Sequence, residues 1–179
     1  MRYGKLSGVL AFGLVAAACG TAALPSEDRP VSGSGGFKTE AVADFQTPWA
    51  MATLEGGQAA LVSEKDGRLW VVDLATGSKS PVSGVPSPVV AGQGGLGDVV
   101  VGPGGRIYLS YVEAGPNGTS GAVVGHGQVV MTRAPAQQGG VGQYALHDFR
   151  IVWRQSPKVS GAGHFSHRIA FGPDGAMYV

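Results

Sequence analysis

The chain has 179 residues, enough for one ordinary domain with its own core. Apolar residues make up 44% of it, which excludes a chain too polar to fold, while 31 glycines and only 14% charged residues favour short strands joined by turns. The net charge of +1 is spread along the sequence, and no basic run, RNP, zinc-finger or P-loop pattern speaks for nucleic acid.

The first residues read as a targeting segment. Arg2 and Lys5 give a positive start, and Val9 to Ala18 is an apolar run too short for an ordinary membrane span. It ends in Ala16-Ala17-Ala18-Cys19-Gly20, where small residues before a cysteine resemble the lipobox of bacterial lipoproteins, with Ala16 in place of the usual leucine. Cys19 is therefore the candidate lipidation site, and residues 1–18 the signal peptide. As the only cysteine it cannot form a disulfide within this chain. An ordinary secretion signal cut at an A-x-A site is the alternative. Either reading takes the protein out of the cytoplasm, to the periplasm or cell envelope, with membrane attachment only through a lipid anchor. Residues 19–46, rich in Ser, Gly, Pro and charges without a visible period, are expected to be a disordered tether, and 47–179 the folded part.

Three segments of that part share one pattern. MATLEGGQAALVS (51–63), DVVVGPGGRIYLSYV (98–112) and RIAFGPDGAMYV (168–179) each place a Gly-rich turn between two apolar runs. Pro103 and Pro173 preset the turn backbone and the closing glycines accept a positive φ, so each unit predicts a β-hairpin. Further strands are expected at Arg68–Asp73, Gln128–Arg133 and Tyr144–Trp153. The turns begin at 54, 102 and 172, spacings of 48 and 70 residues. Such spacing suggests propeller blades, which bury both faces only by stacking on neighbours. The fold expected is all-β, about the first two to three blades of a propeller, with a β-sandwich as the alternative. Because the chain stops at AMYV inside a strand pattern, it is expected to be truncated at its C-terminus.

PWAMA (48–52), SEKDGRLWVVD (63–73), AGQGGLGDV (91–99), GRIYLSYVEAG (105–115) and GHFSHRIAFGPDG (163–175) follow in that order. Together they resemble the soluble PQQ-dependent sugar dehydrogenases, the glucose/sorbosone dehydrogenase family, and its aldose sugar dehydrogenase branch in particular. The resemblance runs over roughly 45–179. It implies a six-bladed β-propeller of the envelope that oxidises an aldose to its lactone by hydride transfer to PQQ, handing electrons to an external acceptor. It implies that His164 is the general base, since an imidazole is available in neutral form near pH 7. It also places Gln93 at the cofactor or substrate, and implies that calcium and the remaining PQQ contacts come from later blades. No metal site is expected in this stretch, and the chain by itself is expected to be inactive.

Taken without the resemblance, a loop histidine before a strand reads more readily as a surface residue than as a base. Arg168 reads mainly as a brace for the motif loop, with ligand contact as the second possibility. Ser166 and His167 stand where the family has small residues, and His167 either narrows the pocket or points outward. His126 and His147 are expected on the surface, Trp49, Trp70 and Trp153 in blade packing, and Ser63-Glu64-Lys65-Asp66 at a polar strand end. The other function class is a non-catalytic NHL- or lactonase-like binding propeller, which shares the G-P-D-G hairpin but lacks the pair GQGG and GHFxxR.

Overall fold

Glycines at the turns lay out the strands. In this computed structural model, which describes residues 38–135 and 142–179, the three expected hairpin turns close with Gly57, Gly105 and Gly175 at φ of +67°, +70° and +80°. Only glycine adopts such angles without steric cost. The signal-type segment and Cys19 lie outside the described residues.

Strands β1 (Pro48–Thr53), β2 (Ala59–Glu64), β3 (Leu69–Asp73) and β4 (Lys79–Ser83) form one antiparallel meander. A second comprises β5 (Leu96–Val101), β6 (Ile107–Ala114), β7 (Thr119–Arg133) and β8 (Gln143–Arg154). A two-residue strand, β9 (Val159–Ser160), pairs with the start of β7, and β10 (Ala170–Phe171) with β11 (Met177–Tyr178) makes a separate hairpin. The main sheet runs β1-β2-β3-β4-β8-β7-β6-β5, the two meanders meeting through a short parallel pairing of Val82 with Tyr144 and Ser83 with Ala145. These are two four-stranded blades and the opening hairpin of a third, the expected all-β propeller architecture.

The blades face one another across an apolar core. Leu61, Leu69 and Val71 from the first blade meet Leu96, Val99, Leu109 and Val123 from the second. Strand alternation sends these side chains inward because a sheet's side-chain period is two. Burying each contributes about 1.5–3 kcal/mol. Polar links cross the same interface as well: the Ser63 hydroxyl, fully buried, donates to the Gly97 carbonyl at 2.6 Å, and the Leu96 amide to the Lys65 carbonyl at 3.0 Å.

Two strands extend beyond the sequence expectation. β7 begins at Thr119 rather than near Gln128, and β4 is a whole strand with no apolar run. The glycines of β7 conceal its pattern for a packing reason. A Cβ on Gly125 would lie 2.4 Å from the Phe149 ring, and one on Gly127 2.7 Å from the His147 carbonyl. Residues 39–47 join the first blade without strand pairing. Thr47 accepts the Lys65 amide at 2.9 Å, and Lys79 bonds the Asp44 carbonyl while its ammonium sits over the Phe45 and Trp70 rings. Among the described residues no helix is long and apolar enough to cross a membrane.

Candidate active site

The two loops carrying GQGG and GHFxxR come together at one end of the second blade. The first, 91–95, precedes β5, and the second, 161–169, precedes β10. They touch directly: the Gln93 amide donates to the Ala162 carbonyl at 3.2 Å. Gly92, at φ +52°, faces the same carbonyl so closely that a Cβ would stand 2.2 Å from it. Lys65 ties the first loop to the neighbouring blade through the Gly92 carbonyl.

Gly94 and Gly95 are buried, and chain rather than open space faces them. A Cβ on Gly94 would meet the Val89 carbonyl at 2.8 Å, and one on Gly95, at φ +125°, the Lys65 carbonyl at 2.3 Å. Their lack of a side chain lets backbone pack on backbone.

His164 and Gln93 are both exposed. Arg168 is exposed too, its side chain 83% accessible, with one guanidinium nitrogen 3.8 Å from the Asp98 carboxylate. Phe165, between them, is buried against Val112 and Ala122 and pins the loop. Trp49 on β1 is 45% exposed, its ring 5.6 Å from that of His167 in an edge-on arrangement. A small cavity of about 70 Å³ lies among Trp49, Ala50, Asp98 and residues 166–168.

Residue 167 is the largest departure from the sequence reading. The His167 ring neither points to solvent nor stands in an open pocket: it is 3% exposed. Its Nδ1 lies 3.3 Å from the Ser110 hydroxyl, which donates to the His167 carbonyl at 2.7 Å and accepts the Asp98 amide at 2.8 Å. Asp98, itself buried, accepts the Ile169 amide at 2.8 Å. Burial pushes the His167 imidazole below its ordinary pKa, and a hydrogen bond to the Gln93 carbonyl and the nearby Asp98 charge oppose that without reversing it. The ring is thus held neutral near pH 7. Sequence reasoning singled out His167 only as an anomaly and missed Asp98 and Ser110: both lie inside motif stretches, AGQGGLGDV and GRIYLSYVEAG, but among apolar strand neighbours that give no sign of a site role.

The other expectations divide. His147 is exposed, whereas His126 is half-buried, 5.1 Å from the Tyr108 ring. Trp49 and Trp153 are exposed at 45% and 39%, so neither packs inside a blade, whereas Trp70 is half-buried with its indole bonded to the buried Glu64. No group of three His, Cys, Asp or Glu that could hold a metal ion occurs among the described residues.

Chemically, the arrangement offers an exposed imidazole, a carboxamide and a guanidinium on two loops braced from beneath. Residues 45–179 match the family model for glucose/sorbosone dehydrogenase. The aldose sugar dehydrogenase YliI of Escherichia coli K12 is 36% identical over 136 residues, 74% of this chain and 34% of that protein. The crystal structure of the soluble aldose sugar dehydrogenase of E. coli superposes with a TM-score of 0.58 at 37% identity, covering 70% of this chain and 34% of the other. The PQQ-bound aldose sugar dehydrogenase of Streptomyces coelicolor superposes with a TM-score of 0.56 at 27% identity, covering 77% and 39%. The chain thus spans about a third of the length of the relatives it matches.

Proposed function

Because the chain belongs to the glucose/sorbosone dehydrogenase family, we propose that it is the front part of a quinoprotein that oxidises an aldose sugar to its lactone, with His164 as general base. The observation that carries the reading is the meeting of the two motif loops. It leaves the His164 imidazole and the Gln93 carboxamide exposed on adjoining segments. An imidazole with solvent access is of the residue type suited to taking a proton at neutral pH.

The residues present fit one rim of a planar, polyanionic quinone. Arg168 offers an exposed cation and Gln93 both a donor and an acceptor. PQQ, when bound, supplies the two-electron acceptor for the hydride of the anomeric carbon. The chain's own part is to orient the sugar and to receive the anomeric hydroxyl proton on an imidazole nitrogen of His164. Calcium is proposed as a companion ion, and no ligands for it are assigned to this stretch. An external acceptor reoxidises the cofactor. The enzyme works in the periplasm or at the envelope, lipid-anchored through Cys19.

The activity belongs to the assembled propeller, and this stretch alone is expected to be inactive. The test is a calorimetric titration of PQQ with calcium, followed by aldose oxidation with a dye acceptor. It compares residues 20–179 with the polypeptide encoded by the DNA read on past codon 179. Binding and oxidation in the longer form only are expected. If the longer form ignores PQQ, His164 loses its role and a non-catalytic binding propeller takes its place.

A further inference from the structure

The buried ring of His167 sits between everything the proposed site depends on. It lies over Gly97, where a Cβ would stand 2.3 Å from Nδ1 and 2.4 Å from Cγ, so the glycine and the imidazole occupy one space. Trp49 from the first blade closes on it at 5.6 Å and Phe165 at 6.3 Å. Ser110 on β6 bonds its carbonyl, and Gly97, which the ring covers, stands two residues beyond the 91–95 loop. Ser166 and His167 both carry positive φ, +60° and +68°, a conformation strained for residues with side chains. Such strain persists only where surrounding contacts over-determine it, and at His167 those contacts are on every side. A residue serving the local turn alone would need none of them: glycine would do.

We propose that His167 is the positioning residue of this site: its buried ring locks the 161–168 loop onto the 91–95 loop and so sets where His164 stands relative to Gln93. The role rests on the reading of His164 and Gln93 given above. His167 does not touch substrate itself. It acts through the two loops, and Asp98, by holding the Ile169 amide, fixes the far end of the same segment.

Amide hydrogen exchange on the chain tests this independently of activity. His167→Ser is expected to speed exchange about tenfold or more at residues 92–95 and 162–168 together, while amides at 109–112 and 123–124 in the strands stay unchanged. His167→Gln, which keeps an N–H donor on a side chain of similar reach, is expected to restore most of the protection. A rise confined to one loop, or an equal rise through β6 and β7, overturns the proposal. If His167→Ser does not fold, Gly97→Ala decides, because the added methyl must displace the ring and should loosen the same two loops. In the longer, PQQ-loaded form, His167→Ser should lower kcat about tenfold with KM for the sugar little changed. A rise in KM with kcat kept overturns the positioning role. Failure of the PQQ titration removes His164's function yet leaves the exchange result to stand or fall by itself.

Discussion

The Trp70 indole nitrogen donates to the Glu64 carboxylate at 2.7 Å, and that carboxylate is 1% exposed. It also accepts the amides of Gln46 and Thr47 and pairs with Arg68 at 3.1 Å. One buried anion therefore fastens the segment before β1 to the end of β2 and to β3. Glu64→Ala leaves the indole and two amides without their acceptor and should cost about 3–5 kcal/mol. Trp70→Phe, which removes one donor, should cost about 1.5–3 kcal/mol, the range for a bond to a charged group. Urea unfolding of the two variants checks both the order and the size.

Acid should destabilise the protein in two stages. Burial alone would raise the Glu64 carboxyl, but the Trp70, Gln46 and Thr47 hydrogen bonds and the Arg68 charge outweigh it and hold the carboxyl below 4.5. Its contribution is thus full above 4.5 and is lost as pH falls through that value toward the lowered one. His167 is also lowered, from 6.5, so the unfolded chain takes up its proton first and stability falls as pH drops below 6.5. Asp98 and Arg168 are the charged groups facing it. Melting curves between pH 7 and pH 3 should show both stages, and His167→Gln should remove a part of the upper one. His126, lowered by burial and by Arg106 and Arg150, contributes in the same direction, and His126→Gln separates the two. An unchanged upper stage in His167→Gln would contradict the assignment.

The inter-blade core should dominate the stability. Leu109 is fully buried between the blades, and Leu109→Ala should cost about 2–5 kcal/mol, the transfer and cavity terms together. Met51, 64% exposed on β1, should change stability by less than about 0.5 kcal/mol when replaced by Ala. Denaturant midpoints of the pair give the comparison.

Function should separate the histidines. In the longer form, His164→Ala is expected to lower kcat about 10²–10⁴-fold, the usual contribution of a general base. His147→Ala, exposed on β8, should leave it within about twofold, inside the scatter of neutral surface changes. Equal activity of His164→Ala and the parent would remove the base from this loop.

The hairpins were legible because their turn chemistry is local. Pro at the second turn position and Gly at a positive angle announce themselves whatever surrounds them, and the turns closing at Gly57, Gly105 and Gly175 formed where expected. The first half of β7 was not legible. Gly121, Gly125 and Gly127 dilute its apolar pattern, and each is small because Lys158, Phe149 or the His147 carbonyl occupies the space beside it. The stretch Ser63-Glu64 reads as a polar strand end for a related reason. Nothing in its sequence announces the indole, amides and carbonyl that arrive from 6 to 34 residues away to satisfy it.

By itself the sequence determined the strand-turn-strand units, the family, and the two loops where chemistry is to be sought. All of these rest on short-range patterns: a side-chain period of two, turn angles open to glycine, and motifs read in order. Tertiary structure alone decided which polar residues became interior. Glu64, Asp98, Ser110 and His167 are polar in any list of residues, and each is buried because distant segments supply its hydrogen bonds. A buried polar group is stable only when partnered, and here most of the partners come from other strands and loops, so the fold had to be assembled before these residues had a role.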